Sequence, residues 1–292
     1  MSGERKKRMV IHGLKGWPGF LASLTLLALI TQSCASHDPE ATAEKISDMA
    51  TLTAAEIKGG KFVLRVYYRF DSPASRLRIY LEGDGNAWLS RTQASRNPSP
   101  KNPVGLQLAA LEHRGNVMYI ARPCQYVSFE KNPQCEYPYW TGKRFAPEII
   151  DSVMAVIDLG KKKAGAGELE LVGFSGGGAV AILVAARRSD VSGIRTVAGN
   201  LDHKVWAKHH HVDPLTGSLN AADVAEKVAN IPQVHYIGSR DENMGRYVAE
   251  SFRSQAGRKN CIRIQTVTGA KHSEGWEQVW PDLIAATIPD CS

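Results

Sequence analysis

One stretch near the middle of the chain, residues 169–180, limits the possible folds more than any other. An apolar run predicts a buried strand, Gly173-Phe174-Ser175-Gly176-Gly177 follows it, and an alanine-rich pattern predicts a helix directly afterwards. A strand that turns this sharply into a helix forces its middle residue into a strained conformation and leaves no room for side chains at the flanking glycines. The pattern is typical of a nucleophile elbow, which raises a serine hydroxyl above the sheet edge, in front of a helix N-terminus that favours negative charge.

The same turn has two other interpretations. A structural strand-to-helix turn is one, and a phosphate-binding loop is the other. A P-loop ends in Gly-Lys-Ser/Thr, which is absent here, and a dinucleotide-binding turn opens the first strand–helix unit, whereas this turn lies past the middle of 292 residues. A catalytic Ser175 is therefore the favoured interpretation, with a structural turn as the alternative.

Three segments together carry a resemblance to the α/β-hydrolase superfamily over about residues 52–288. They are the stretch around Ser175, the upstream Glu82-Gly83-Asp84-Gly85, and the downstream Gly238-Ser239-Arg240-Asp241 with His272. The resemblance implies an α/β-hydrolase fold: a mostly parallel sheet with an N-terminal antiparallel hairpin and helices on both faces. The alternation of strand and helix patterns along the chain favours the same α/β class.

The order of polar residues suggests a catalytic triad. A serine hydroxyl becomes a nucleophile when a histidine takes its proton, and a carboxylate orients that histidine. The hydrolase order of serine, acid and histidine selects Ser175, Asp241 and His272. Asp202, which follows the preceding predicted strand, is the alternative acid, and Glu242 is the third candidate.

The segment Glu82–Asn86 stands where hydrolases of this fold place their oxyanion loop. Its glycines allow backbone N–H groups to face a developing alkoxide, so we expect the amides near Gly85 and Asn86, with that of Gly176, to form an oxyanion hole. Glu82 occupies the position where many relatives have histidine. A plain Asp-Gly turn is the alternative.

Two segments could shape a pocket at the same edge of the sheet. Residues 124–141 carry five aromatic side chains and follow a predicted strand, so they form either a wall for an acyl or aryl group or a surface loop over the sheet end. The stretch after Asp202, with Trp206 and the histidines 209–211, is long enough for a small lid. We interpret those histidines as a solvated or loosely packed run rather than a metal site, and His235, inside a predicted strand, as packed core.

The five cysteines fit an exported protein. Cys34 lies in the N-terminal segment, and the remaining four suggest two local disulfides, Cys124–Cys135 and Cys261–Cys291. Free thiols are an alternative. A metal site is another, but neither C-x-x-C nor H-x-x-x-H spacing supports one, so no metal is expected.

The first 34 residues are typical of an export signal. A basic start precedes an apolar run at 20–30, which is shorter than the roughly 20 residues of a membrane span, although an uncleaved anchor is an alternative. Ser33-Cys34 resembles a lipoprotein signal with lipid on Cys34, although Thr31 and Gln32 depart from its usual pattern. Cleavage after Ala35 is the other route. We predict a polar tether over 35–50, a hydrolase domain over 51–292, and a periplasmic or membrane-anchored protein facing the periplasm.

The net charge of +7 does not indicate a nucleic-acid partner. Residues 1–33 carry five basic residues and one acidic residue, so the rest of the chain has a charge of +3. The resemblance implies a serine hydrolase of carboxylic esters that needs no cofactor, takes a small ester or acyl substrate and meets a membrane only through the possible lipid anchor. A non-catalytic, envelope-anchored binding protein with the same fold is the main alternative, and an envelope interaction lipoprotein is a third hypothesis.

Overall fold

A computed structural model describes residues 38–71, 76–257 and 261–291. Those ranges contain eight strands: β1 (Thr53–Gly59), β2 (Phe62–Arg69), β3 (Arg76–Leu81), β4 (Asn116–Ile120), β5 (Glu168–Phe174), β6 (Val191–Val197), β7 (Gln233–Gly238) and β8 (Ile262–Val267). The α-helices in the same ranges are α1 (Pro39–Met49), α2 (Val104–Ala110), α3 (Pro147–Ala164), α4 (Gly176–Ala185), α5 (His203–His210), α6 (Arg246–Gln255) and α7 (Trp280–Ala285). Two 3-10 helices span Tyr137–Trp140 and Ala221–Val228.

The strands form one sheet in the order β1-β2-β4-β3-β5-β6-β7-β8. Strand β2 pairs antiparallel with β1 and with β4, and all the other neighbours pair parallel. Strands β4 and β7 are buried along their whole length, which requires helices on both faces of the sheet. The predicted mostly parallel sheet with an N-terminal antiparallel hairpin is confirmed.

The parallel strands bring four distant loops to one edge. Strands β3, β5, β7 and β8 run in the same direction, so the segments that follow them meet beyond their carboxyl ends. Those segments begin at Glu82, Ser175, Ser239 and Thr268. The order of the strands therefore brings the predicted site together, including Ser175 and His272, which are 97 positions apart.

The tether prediction is wrong for residues 39–49, which form α1. Asp38 caps this helix by accepting the Glu40 N–H at 2.9 Å, and a proline occupies the first turn. Ala43 is fully buried against the core, and Glu40 forms an ion pair with Arg65 of β2 at 2.6 Å. The helix is therefore packed on the domain through a face with Ala43 and Ser47 buried and Ile46 partly buried.

The export signal, Cys34 and Ala35 lie outside the described residues. Within the described ranges, none of the helices combines the length and the apolar character needed to cross a membrane.

Both predicted disulfides are present. Cys124 pairs with Cys135 with Cα atoms 5.7 Å apart, and Cys261 pairs with Cys291 at 4.6 Å. The first closes a loop after β4, and the second joins the start of β8 to the C-terminal segment.

Candidate active site

Ser175 lies at the tip of a sharp turn between β5 and α4. Its backbone has φ 49° and ψ −118°, a conformation that costs a non-glycine residue on the order of 1–3 kcal/mol. A side chain on Gly173 would overlap the backbone of Gly177, and one on Gly177 would overlap the carbonyl of Leu81. The structure therefore shows why the turn needs glycine on both sides of the serine.

Ser175, His272 and Asp241 form a continuous chain of hydrogen bonds. His272 Nε2 lies 3.1 Å from Ser175 Oγ, and His272 Nδ1 lies 2.9 Å from Asp241 Oδ2. Because a carboxylate only accepts, Nδ1 carries the proton of the neutral ring and Nε2 is left to accept the serine proton. This is the geometry in which a serine is activated as a nucleophile.

Asp241 is held rigidly behind the histidine. Its side chain is completely buried, and its Oδ1 accepts the backbone N–H groups of Asn243 and Met244, both at 2.8 Å. With Oδ2 occupied by His272, both carboxylate oxygens have partners. The carboxylate therefore fixes the orientation of the imidazole ring.

The alternative acids lie elsewhere. Asp202 caps α5 by accepting the N–H groups of Lys204 and Val205, and its Oδ2 accepts the hydroxyl of Ser251 at 2.6 Å. Glu242 is exposed to solvent. The structure thus brings Asp241, and neither alternative, to His272.

The predicted oxyanion groups need one correction. The Asn86 N–H donates to the Pro98 carbonyl at 2.9 Å, so that amide is already occupied and its predicted role is wrong. Within the described part of the chain, the N–H groups of Asp84, Gly85 and Gly176 donate to no protein acceptor. Asp84 and Gly85 line the cavity and Gly176 directly follows Ser175, so these three amides are the candidate oxyanion donors.

Ser175 opens onto a cavity of about 420 Å³ whose walls combine polar side chains with a larger share of apolar surface. Four asparagines line it, and both side-chain polar atoms of Asn200 are buried without a partner among the described residues. Trp206 of α5 contributes an aromatic wall, so the stretch predicted as a lid supplies a short helix at the side of the cavity. The full lining is Glu82, Asp84, Gly85, Asn86, Ala87, Trp88, Pro100, Lys101, Asn102, Arg144, Phe174, Ser175, Asn200, Trp206, Asn243, Met244, His272 and Ser273.

The aromatic residues of segment 124–141 do not line this cavity, so of the two alternatives the wall for an acyl or aryl group is not found there. Tyr126 and Trp140 are buried and donate to backbone carbonyls, whereas Phe129 and Tyr137 pack on Trp140 and remain exposed. The segment is the surface cover over the sheet end that the alternative interpretation described.

The other histidines have structural surroundings. His235 is fully buried between Thr196 and Gln233, and burial lowers the pKa of its ring to about 3, which confirms it as packed core. His210 Nε2 lies 2.9 Å from the Asn243 carbonyl oxygen, so the histidine run is partly packed, in agreement with the prediction of a solvated or loosely packed run. No group of metal-ligating side chains occurs in the ranges that the structure describes.

Sequence reasoning missed a buried ionic cluster at the floor of the cavity. Asp84 binds Arg144 Nη1 at 2.6 Å and Arg122 Nη1 at 3.2 Å. Burial opposes ionisation of this carboxyl, but the two guanidinium groups outweigh it and hold its pKa below the ordinary value. The partners lie 38 and 60 positions away, so no local pattern could have identified them.

Comparison with known proteins bears on the fold. No protein-family model and no curated protein sequence matches the chain. Among solved structures, Est1E from Butyrivibrio proteoclasticus is 14% identical, with 79% of this chain and 95% of that chain covered and a TM-score of 0.55. An esterase from Pyrococcus furiosus is 15% identical, with 81% and 90% covered and a TM-score of 0.56. An alpha-beta serine hydrolase homologue from Coxiella burnetii is 16% identical, with 79% and 93% covered and a TM-score of 0.54. From its sheet order, its elbow and these similarities, the chain has the fold of the α/β-hydrolase superfamily.

Proposed function

We propose that this protein is a serine hydrolase that cleaves carboxylic esters. The observation that carries the proposal is the hydrogen-bonded chain from Ser175 Oγ through His272 to the buried Asp241 carboxylate. The similarity in fold to an esterase and to a serine hydrolase homologue supports the same class. No specific observation favours the non-catalytic binding protein, which remains an outcome of the test below.

In the first half of the proposed reaction, Ser175 Oγ attacks the ester carbonyl while its proton passes to His272 Nε2. Asp241 stabilises the resulting imidazolium through its bond to Nδ1. The carbonyl oxygen becomes an oxyanion, which accepts hydrogen bonds from the amide of Gly176 and from those of Asp84 and Gly85. The C–O bond to the alcohol then breaks, and His272 gives its proton to the departing oxygen.

In the second half, water takes the place of the alcohol. His272 accepts a proton from the water, whose oxygen attacks the acyl-serine carbonyl and forms a second oxyanion. Collapse of this intermediate releases the carboxylic acid and returns the proton to Ser175. Every proton transfer uses His272 Nε2, so the proposed reaction needs no cofactor.

The cavity supports an ester with a small or polar acyl group. Its volume of about 420 Å³ lies at the lower end of the range for small-molecule sites, and amide side chains stand among its walls. Trp88 and Trp206 provide apolar surface for part of the substrate. A long, fully apolar chain that covered the amide side chains would leave them without partners, whereas a short acyl group can lie on the apolar surface alone.

Labelling of the purified protein with a fluorophosphonate, followed by peptide mapping, tests the proposal. We expect modification at Ser175 that is abolished in Ser175→Ala and in His272→Ala, together with turnover of 4-nitrophenyl acetate or butyrate. Asp202→Asn is the matched control, because this aspartate caps a helix and does not line the cavity. Absence of label and turnover in a well-folded sample would instead support the binding-protein alternative.

We further propose that the protein is exported, with Cys34 as its lipid anchor. The two disulfides support export, because such bonds persist in oxidising compartments.

A further inference from the structure

The oxyanion loop, residues Glu82–Asn86, rests directly against the elbow. A side-chain carbon built on Gly176 would lie 2.6 Å from Asp84 Cγ, and one built on Gly83 would lie 3.2 Å from Ser175 Cβ. The Asp84 side chain therefore packs against the residue whose amide follows the serine. Any shift of Asp84 changes the distance between the amides on the two sides of the proposed oxyanion hole.

Three buried side chains hold this loop in place. Arg144 and Arg122 bind the Asp84 carboxylate, and Gln125 Nε2 donates to the Gly83 carbonyl at 3.1 Å. Arg122 Nη2 also donates to the Arg144 carbonyl, which ties the two arginines to each other. The side chains of Arg122 and Arg144 are only 6% and 8% exposed, so water competes little for these bonds.

The segment that carries two of these groups is itself fixed. Gln125 lies beside the Cys124–Cys135 disulfide, and its Oε1 accepts the Arg122 N–H at 3.1 Å. Cys124 and Tyr126 both have positive φ, 73° and 57°, which non-glycine residues adopt only when the surrounding structure imposes it. Backbone strain at the residues on both sides of Gln125 is expected when the function depends on the exact position of the Gln125 side chain.

The two arginines also compensate the negative charge of Asp84. An isolated carboxylate beside an oxyanion hole would repel the negative charge that develops there. Two guanidinium groups on one carboxylate leave the cluster of Asp84, Arg122 and Arg144 with a net charge of +1. Asp84 thus holds the loop by ionic bonds while its own negative charge is compensated by the two guanidinium groups.

We propose that the Asp84 side chain is a positioning residue that, held by Arg122, Arg144 and Gln125, sets the geometry of the oxyanion hole. This inference rests on the proposed ester hydrolase function. In this proposal, segment 122–125 and the Cys124–Cys135 disulfide support the oxyanion loop. Asp84 acts through backbone amides, so its loss should affect transition-state binding more than substrate binding.

The test compares Asp84→Asn with wild type on 4-nitrophenyl butyrate and on a trifluoromethyl ketone, which mimics the tetrahedral intermediate. We expect kcat/KM to fall by about 10- to 1,000-fold with KM changed by less than about threefold, and the inhibition constant of the ketone to rise by a similar factor. Gln125→Leu, which removes the bond to Gly83 but no charge, should move both values in the same direction by a smaller factor. It also keeps the test decisive if Asp84→Asn fails to fold.

Asp190→Asn is the matched control. Asp190 is also held by two cations, Arg188 and Lys161, but it does not line the cavity. It should alter thermal stability and leave both kcat/KM and the ketone inhibition constant unchanged. A purely structural role for Asp84 predicts the same pattern for Asp84→Asn.

The outcomes separate this inference from the function on which it rests. A folded wild type that neither hydrolyses esters nor binds the ketone would overturn the proposed function. An active wild type with an unchanged ketone inhibition constant in folded Asp84→Asn or Gln125→Leu would overturn only the positioning role.

Discussion

Replacing Asp241 by asparagine changes one atom of the proposed triad, and the structure determines how the new amide must turn. Asp241 Oδ1 accepts two backbone N–H groups, from Asn243 and Met244, each at 2.8 Å, while Oδ2 faces His272 Nδ1. In Asp241→Asn the amide oxygen must stay with the two N–H groups. The opposite orientation would leave both of them buried without an acceptor, at a cost of about 1–3 kcal/mol each.

The amide NH₂ group therefore turns to His272 and donates to Nδ1. The neutral ring must then carry its proton on Nε2, the atom that faces Ser175 Oγ. In this tautomer the imidazole cannot accept the serine proton. We expect kcat to fall by about 10³- to 10⁴-fold, equivalent to roughly 4–5.5 kcal/mol of transition-state stabilisation, with little change in KM or in stability.

Steady-state kinetics on 4-nitrophenyl butyrate, with thermal unfolding of the same samples, measures this effect. Asp202→Asn is the control: its amide would meet the donors of Ser251 and Gln255, so it should lower the melting temperature and retain kcat. The reasoning is refuted if Asp241→Asn keeps more than about a tenth of the wild-type kcat. It is equally refuted if a folded Asp202→Asn loses as much activity as Asp241→Asn.

Four further predictions concern other parts of the molecule. Burial lowers the pKa of His235 from 6.5 to about 3, so its contribution to stability is complete above pH 6.5 and is lost as the pH falls towards 3. Between pH 7 and pH 5, denaturant unfolding should show wild type losing about 2 kcal/mol more stability than His235→Gln, and equal losses would contradict this. Asn200→Leu removes a buried side-chain amide that has no partner among the described residues and should raise the free energy of unfolding by about 1–2 kcal/mol, whereas a lower melting temperature would indicate a bound water. Gly177→Ala places a methyl group on the Leu81 carbonyl, so fluorophosphonate labelling should be lost, and full labelling would show that the elbow tolerates the change. Cys34→Ala should release the protein from the membrane fraction, and unchanged fractionation would count against lipidation.

The sequence determined the features that depend on local pattern. Strands β2 and β5 could be predicted because runs of apolar and β-branched residues favour an extended backbone, and this preference depends only on neighbouring residues. The elbow could be predicted because both glycines that its geometry requires lie within the five residues 173–177. The order of strands and helices then favoured a parallel sheet, and the parallel sheet placed Ser175 and His272 at one edge.

The polar composition of residues 39–49 predicts a tether, whereas these residues form α1. The segment 39–49 is rich in charged side chains, so it was expected to be a tether. Its burial depends on Ala43 reaching the core and on Arg65, 25 positions from Glu40. The capping sequence Asp38-Pro39-Glu40 was the available signal for a helix start.

Only the tertiary structure decided between the two candidate acids and assembled the oxyanion loop. Asp202 and Asp241 follow neighbouring parallel strands, so pattern alone leaves both within reach of His272. A helix begins directly after Asp202 and takes its carboxylate as a cap, whereas Asp241 turns towards the histidine. Likewise, the Asn86 amide is taken by Pro98, and Asp84 is held by arginines 38 and 60 positions away. Sequence patterns act over a few residues, whereas the partners of a buried polar group are set by the packing of distant segments.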